Sequence, residues 1–150
     1  MSNLIECVPN LSEGRDQALI EEFKESITSI PEVHLLHVDS NHSANRTVFT
    51  FVAEPEAILE AAFSLVSKAA DLIDMRKHKG VHPRLGAVDV CPFIPFDKAN
   101  MSLCVALSER LAKRVSEELK IPVYLYAESA KEERRKKLSN IRKGEFEGLA

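Results

Sequence analysis

The residues of this chain best suited to chemistry gather in one polar stretch, Arg76 to Phe96, RKHKGVHPRLGAVDVCPFIPF. His78 and His82 lie there among Arg76, Lys77, Lys79 and Arg84, with almost nothing apolar before the run Val88 to Phe93. Imidazole changes charge near neutral pH without special tuning, which makes His82 the candidate proton carrier. Gly80 and Gly86 open backbone angles closed to other residues, and Pro83 biases His82 toward an extended conformation. A polar, turned loop between packed elements is where catalytic and binding groups concentrate. An ordinary surface loop has the same composition, so residue types alone leave both readings open. His78 and His82 stand at i and i+4, a spacing that would share one face of a helix. Gly80 and Pro83 argue against a helix there and no third ligand is near, so no metal is expected.

Other charged positions can take part. Asp39 closes an apolar run just before a polar turn. It can orient an imidazole, or it can do the backbone bonding that aspartate does in many turns. Arg46 and Arg84 are suited to bidentate binding of carboxylates, or are surface charges. The run Lys131 to Lys137 (KEERRKK) interleaves acids and bases with no aromatic among them. That is the pattern of a solvated helix face rather than a nucleic-acid patch.

The elements that must hold these residues follow from periodicity. Leu4 to Val8 reads as a first strand ended by Pro9-Asn10, with Asn10 or Ser12 placed to cap the helix that follows. Ala18, Leu19, Glu22–Phe23, Ser26–Ile27 and Ile30 recur at helical spacing up to Pro31. Val33 to Asp39 reads as a strand, with His34 and His37 on opposite faces because their separation is odd. Arg46 to Ala53 (RTVFTFVA) is rich in β-branched and aromatic residues and forms a hairpin with it. Pro55 opens a helix running to about Asp74. Pro92 and Pro95 make Val88 to Phe93 an edge strand or a bulged one. Met101 to Leu119 is a third helix, Pro122 to Tyr126 (PVYLY) a last strand, and Lys131 to Leu138 an exposed helix. The order β-α-β-β-α-β-α-β begins as the split βαβ pattern. The expected fold is therefore α/β of the α+β kind: a ferredoxin-like two-layer sandwich, a mainly antiparallel sheet with helices on one face, plus an extra C-terminal helix.

Composition narrows the function classes. At 150 residues this is one domain with room for a core. The net charge of −3 offers no bulk attraction for nucleic acid or an acidic membrane. No run approaches a membrane span, and MSNLIECVPN lacks a secretory pattern. Cys7, Cys91 and Cys104 form an odd set without CxxC spacing, which reads as reduced thiols in a cytoplasmic protein. Neither GxGxxG nor GxxxxGK[ST] occurs, so nucleotide phosphate binding has no motif behind it.

Several ordered blocks together carry a resemblance. They are Ile5-Glu6-Cys7-Val8-Pro9-Asn10 with Ser12-Glu13-Gly14, Asn45-Arg46-Thr47-Val48 with Thr50-Phe51-Val52, and Leu72-Ile73-Asp74-Met75. Gly80, His82-Pro83-Arg84, Asp89-Val90-Cys91-Pro92-Phe93-Ile94-Pro95 and Pro122-Val123-Tyr124-Leu125-Tyr126 continue them. On these the chain resembles the N-terminal subdomain of the formiminotransferase family, the glutamate formimidoyltransferases found alone or fused to a cyclodeaminase. The resemblance implies transfer of a formimino group from N-formimino-L-glutamate to a ring nitrogen of tetrahydrofolate, a co-substrate, in histidine breakdown, without a metal. It puts the catalytic histidine on His82 and substrate contacts on Asn10, Arg46, Gly80, Arg84 and Tyr126; Asp39, at a nearby strand end, is expected to be the acid that favours its imidazolium. It further implies a second subdomain, with folate in the cleft between the two. Residues 1–150 are then the N-terminal subdomain, completed by the absent C-terminal one or by a second subunit, and expected to self-associate. The other reading is a stand-alone binding or regulatory module without catalysis. The chain departs from the family pattern in three places. Val81 stands where an acid usually precedes the histidine, His37 where aspartate is common, and Ala127 where glycine is common.

Overall fold

A computed structural model describes residues 3–80 and 84–142. His82, with Val81 and Pro83, lies outside the described residues, as do residues 143–150.

The sheet is built around β4 (Arg46–Ala53), whose alternating pattern sends Thr47, Phe49, Phe51 and Ala53 inward, each fully buried. β3 (His34–Asn41) pairs antiparallel along one side of it. Along the other side run β1 (Ile5–Cys7) and β2 (Asn10–Leu11), one extended segment interrupted at Val8-Pro9. Outside these lie β6 (Phe93–Pro95) against β1 and β5 (Val88–Val90) against β2, again one segment, interrupted at Cys91-Pro92. Proline has no N–H to give a ladder, and both interruptions fall at one. The carbonyls there are still used: Pro9 accepts from the Phe49 N–H (3.0 Å) and Pro92 from that of Val8 (3.3 Å).

Three helices cover one face. α2 (Pro55–Leu72) lies between α1 (Gln17–Thr28) and α3 (Met101–Glu118), touching both. Its Ile58, Ala61, Ala62, Leu65 and Ala69 meet Phe23 and Ile27 of α1 and Leu107 and Leu111 of α3 in a single core over the inward row of β4. The fold is thus the α+β sandwich, an antiparallel sheet under a helical layer. No helix among the described residues is long and apolar enough to cross a membrane. The thiols of Cys7, Cys91 and Cys104 are free, with Cys7 and Cys104 buried.

Local expectations are corrected in five places. α1 starts beyond Asn10 and Ser12, and Asp16 caps it, its Oδ1 accepting from the N–H groups of Ala18 (3.0 Å) and Leu19 (3.2 Å). Ser12 is already engaged by the sheet, its N–H donating to Ala87 O and its Oγ to Gly86 O, both at 2.8 Å. α2 stops at Leu72, because Asp74 turns the chain into a 3-10 turn, Met75–Lys77. His34 and His37 share a face rather than opposing: a bulge between Leu35 and His37 absorbs one residue, so they pair with Val52 and Thr50, members of one row of β4. Pro122 to Tyr126 forms no strand. The outer edge of the sheet is two three-residue pieces separated by Pro92, too broken to template another ladder. The exposed helix over Lys131 to Leu138 is also missing. The chain makes a 3-10 turn, Glu133–Arg135, and then a short helix, α4 (Leu138–Arg142). A segment polar all round has no stripe to pack and so little to hold a helix.

Candidate active site

The candidate site is built from the turn that feeds β4. Asn45 adopts a left-handed conformation (φ 51°), which asparagine tolerates better than most residues. Its side chain then joins three segments: Oδ1 accepts from the Gly14 N–H (2.9 Å) and Nδ2 donates to Lys79 O (3.3 Å). Its own carbonyl accepts from Nε2 of His78 (2.8 Å). His78 is buried and accepts at Nδ1 from Nε of Arg84 (3.0 Å), which fixes its tautomer with the hydrogen on Nε2. A second Arg84 nitrogen reaches the His78 carbonyl (3.4 Å). His78 is therefore a structural strut.

Gly80 and Gly14 complete the corner. A Cβ on Gly80 would run into the Ala44 carbonyl, and one on Gly14 into the backbone of Asn41 and Arg46. Beneath them Thr47 Oγ1 donates to Glu13 O (2.5 Å). Each such bond contributes about 0.5–1.5 kcal/mol net. Gly80 and Arg84, the described residues on either side of 81–83, are thus both anchored to the start of β4.

A second group lies beside this corner. Asp89 sits where β5 slips register against β2, has its carboxylate buried, and accepts from the Leu85 N–H (2.5 Å). Its other oxygen takes Arg142 of α4 as an ion partner. Arg46 shares the surroundings of that pair, but its side chain has no hydrogen bond or ion pair among the described residues, and its Nε is buried. Burial pushes its guanidinium pKa down, and Arg142 pushes the same way while Asp89 opposes. Tyr126 joins from the C-terminal segment. Burial first, then the Cys91 thiol, pushes its hydroxyl up to about 12, with Arg142 opposing. Cys7 and Cys91 lie nearby with sulfurs 3.7 Å apart, and burial pushes the Cys7 thiol well up.

Register maps the remaining candidates. Asp39 and Asn10 both pair with Val48, so the three share the row of the sheet that points away from the helices. Arg46 is two residues along the same row, about 7 Å on at strand rise. Asp39 is exposed and Asn10 is buried. Asn10 Nδ2 donates to the Val8 carbonyl (3.0 Å), which leaves Oδ1 facing the other way. Among the described residues, the buried side-chain polar atoms without a hydrogen-bond partner are Asn10 Oδ1, Arg46 Nε and Arg142 Nε. All belong to this one region, and each such atom costs about 1–3 kcal/mol if nothing ever meets it.

The structure thus brings Asn10, Arg46 and Tyr126 around Asp89 and Arg142, and sets Gly80 and Arg84 at the adjoining corner. Asp39 lies on the open row, beyond Val48. Sequence reasoning missed Asp89, Arg142 and the strut formed by Asn45 and His78. An acid between two valines reads as the outward position of an alternating strand, so Asp89 carried no local signal of its buried partner.

Comparison with known proteins gives the family. The profile described as the formiminotransferase domain, N-terminal subdomain, matches residues 4–150. The chain is 51% identical over 149 residues to the formimidoyltransferase-cyclodeaminase of Rattus norvegicus, covering 99% of this chain and 28% of that protein. It is 48% identical to the glutamate formimidoyltransferase of Streptococcus pyogenes serotype M1 over 99% of this chain and 50% of that one. The corresponding figures for Thermoplasma acidophilum are 46%, 97% and 48%. The chain therefore spans half or less of the length of these relatives, and along nearly all of its own length it belongs to the formiminotransferase family as an N-terminal subdomain.

Proposed function

We propose that this chain supplies the histidine-bearing wall of a site that moves a formimino group from N-formimino-L-glutamate to a ring nitrogen of tetrahydrofolate, within cytoplasmic histidine breakdown. The observation that carries the reading is the anchoring of Gly80 and Arg84, the two flanks of the His82 segment, to a sheet corner with orphaned buried polar atoms. Relatives named glutamate formimidoyltransferase support the reaction class.

The chemistry asks for one proton carrier with two duties. The attacking ring amine must lose a proton as it bonds to the amidine carbon. The departing glutamate nitrogen must gain one, or it leaves poorly. His82 serves both in turn, first as base and then as acid, a role worth about 10²–10⁴-fold in rate. Asp39 favours the imidazolium formed between the steps. Holding the two substrates in reacting geometry contributes at least as much, and a second subdomain or a second subunit closes the site.

The test is transfer between the two substrates by the 150-residue chain, alone and with the C-terminal half of a glutamate formimidoyltransferase added. His82→Ala is expected to lower the rate at least about 10²-fold. An unchanged rate in that variant sinks the role of His82, and an unchanged rate in Asp39→Asn removes Asp39 from the mechanism. Binding of either substrate without transfer in any combination would identify a binding module instead.

A further inference from the structure

Two thiols meet where β1 borders the outer edge of the sheet, and the transfer chemistry uses neither. Cys7 ends β1, is fully buried, and has its sulfur 3.7 Å from that of Cys91. The two stand 84 positions apart in the chain, so only the fold brings them together. Cys91 lies in the interruption between β5 and β6, just ahead of Pro92 and outside both ladders. It is part-exposed and lines a cavity of about 590 Å³ that Met101 and Tyr126 also border. A water takes roughly 30 Å³ of the liquid, so a small hydroperoxide has ample room there. Cys104 lines the same cavity, but among the described residues no other sulfur touches it.

We propose that Cys7 and Cys91 are an oxidisable pair, in which Cys91 takes oxygen from hydrogen peroxide and Cys7 resolves the product to a disulfide. The Cys91 thiolate attacks one peroxide oxygen, and the O–O bond breaks. The other oxygen leaves as water with the proton that the thiol gave up, and Cys91 becomes a sulfenic acid. The Cys7 sulfur then attacks that of Cys91, the S–O bond breaks, and a second water leaves with the Cys7 proton. Two thiols are oxidised by two electrons, and one peroxide is reduced to two waters. Position assigns the roles. Cys91 faces the cavity, while Cys7 sits behind it, and burial, then its hydrogen bond with Cys91, push the Cys7 thiol well up. A raised thiol is a poor first nucleophile, but contact with its target offsets this in the second step. The sulfurs must close from 3.7 Å to about 2.05 Å, and Cys91, held by no ladder, is the one able to turn. The bond would tie the broken outer edge of the sheet to β1. In a reducing compartment such pairs are transient and serve as sensors.

Treating the reduced 150-residue chain with hydrogen peroxide, then titrating free thiols and mapping peptides by mass, tests the pair. The parent is expected to lose two thiols per chain, to yield a linked peptide of Cys7 and Cys91, and to keep Cys104 free. Dithiothreitol is expected to restore all three thiols. In Cys7→Ala the sulfenic acid has no resolving partner, so dimedone is expected to label Cys91 at least about tenfold more than in the parent. In Cys91→Ala, Cys7 is expected to remain a thiol. The linked peptide is read in the parent alone, so a variant that fails to fold leaves the test standing. Four results each overturn the proposal. They are a link that includes Cys104, links only between chains, a persistent sulfenic acid on Cys91 in the parent, and three free thiols after free cysteine in the same solution is fully oxidised. The pair does not depend on the transfer reading, and His82→Ala is expected to oxidise as the parent does.

Discussion

Two segments of this chain carry the same strand signature and meet different fates. RTVFTFVA becomes β4, with ladders on both sides and Thr47, Phe49, Phe51 and Ala53 fully buried. IPVYLY forms no strand and has no ladder partners, and Val123 is 39% exposed. Propensity does not separate them, since both are rich in β-branched and aromatic residues. What separates them is what each finds alongside. β4 lies between β3 and the β1–β2 segment, and the later stretch faces a sheet edge broken at Pro92 across a cavity that both line. A strand depends on its neighbours' backbone, and that is decided elsewhere in the chain.

The sharpest way to break this comparison is to truncate one aromatic in each segment. Phe51→Ala opens a cavity in the shared core and is expected to cost about 3–5 kcal/mol. Tyr124→Ala, in the unpaired segment, leaves no ladder or closed core behind and is expected to cost under about 1 kcal/mol. Urea unfolding of the two variants checks the ratio. Comparable losses would mean that the later segment is as much part of the core as β4.

Alkaline pH probes the same contrast from the other side. Tyr126 is pushed up to about 12 chiefly by burial, against an ordinary value of 10.0, so its packing favours the neutral hydroxyl. A group raised on folding contributes stability that is complete below its unfolded pKa and lost as pH climbs through the folded one. The window is therefore from about 10 to about 12. Discounted for a ring that is only part-buried, the loss is on the order of 1 kcal/mol. Unfolding midpoints measured across that range are expected to fall in the parent chain and less so in Tyr126→Phe. Identical slopes would show that the segment does not hold Tyr126 against the sheet.

How much was legible beforehand follows the same line. The three long helices and β4 were readable because their signals are local: periodic apolar residues, Pro55 at a helix start, alternation in RTVFTFVA. The break at Pro92 was readable for the same reason. The strut of Asn45 and His78 spans 33 positions and the pair of Arg142 and Asp89 spans 53, so neither has a local signature. His34 and His37 were misassigned because a bulge changes the count of residues without changing their pattern. Arg46 and Arg84 were legible as candidates from their chemistry, and Asn10 from the family resemblance alone. That two of them keep buried atoms without partners is a property of the packed corner alone.

One resemblance-based departure has a backbone consequence, and it gives the smallest effect expected here. Ala127, where the resemblance leads one to expect glycine, has a φ of 52°. An L-residue there crowds its Cβ against the following carbonyl at roughly 1–2 kcal/mol. Glycine would remove that strain but would also loosen the unfolded chain, returning about 0.4–1 kcal/mol of the gain. Ala127→Gly is thus expected to raise stability by about 0.5–1 kcal/mol, with Ala127→Val lowering it by more than that. The turn it belongs to, Ala127–Ser129, is tied to the charged segment through the Ala127 N–H, which donates to the Lys136 carbonyl (3.1 Å). A glycine that leaves stability unchanged would mean that this turn opens freely. The later segment would then lack both the ladder that β4 has and any fixed alternative to it.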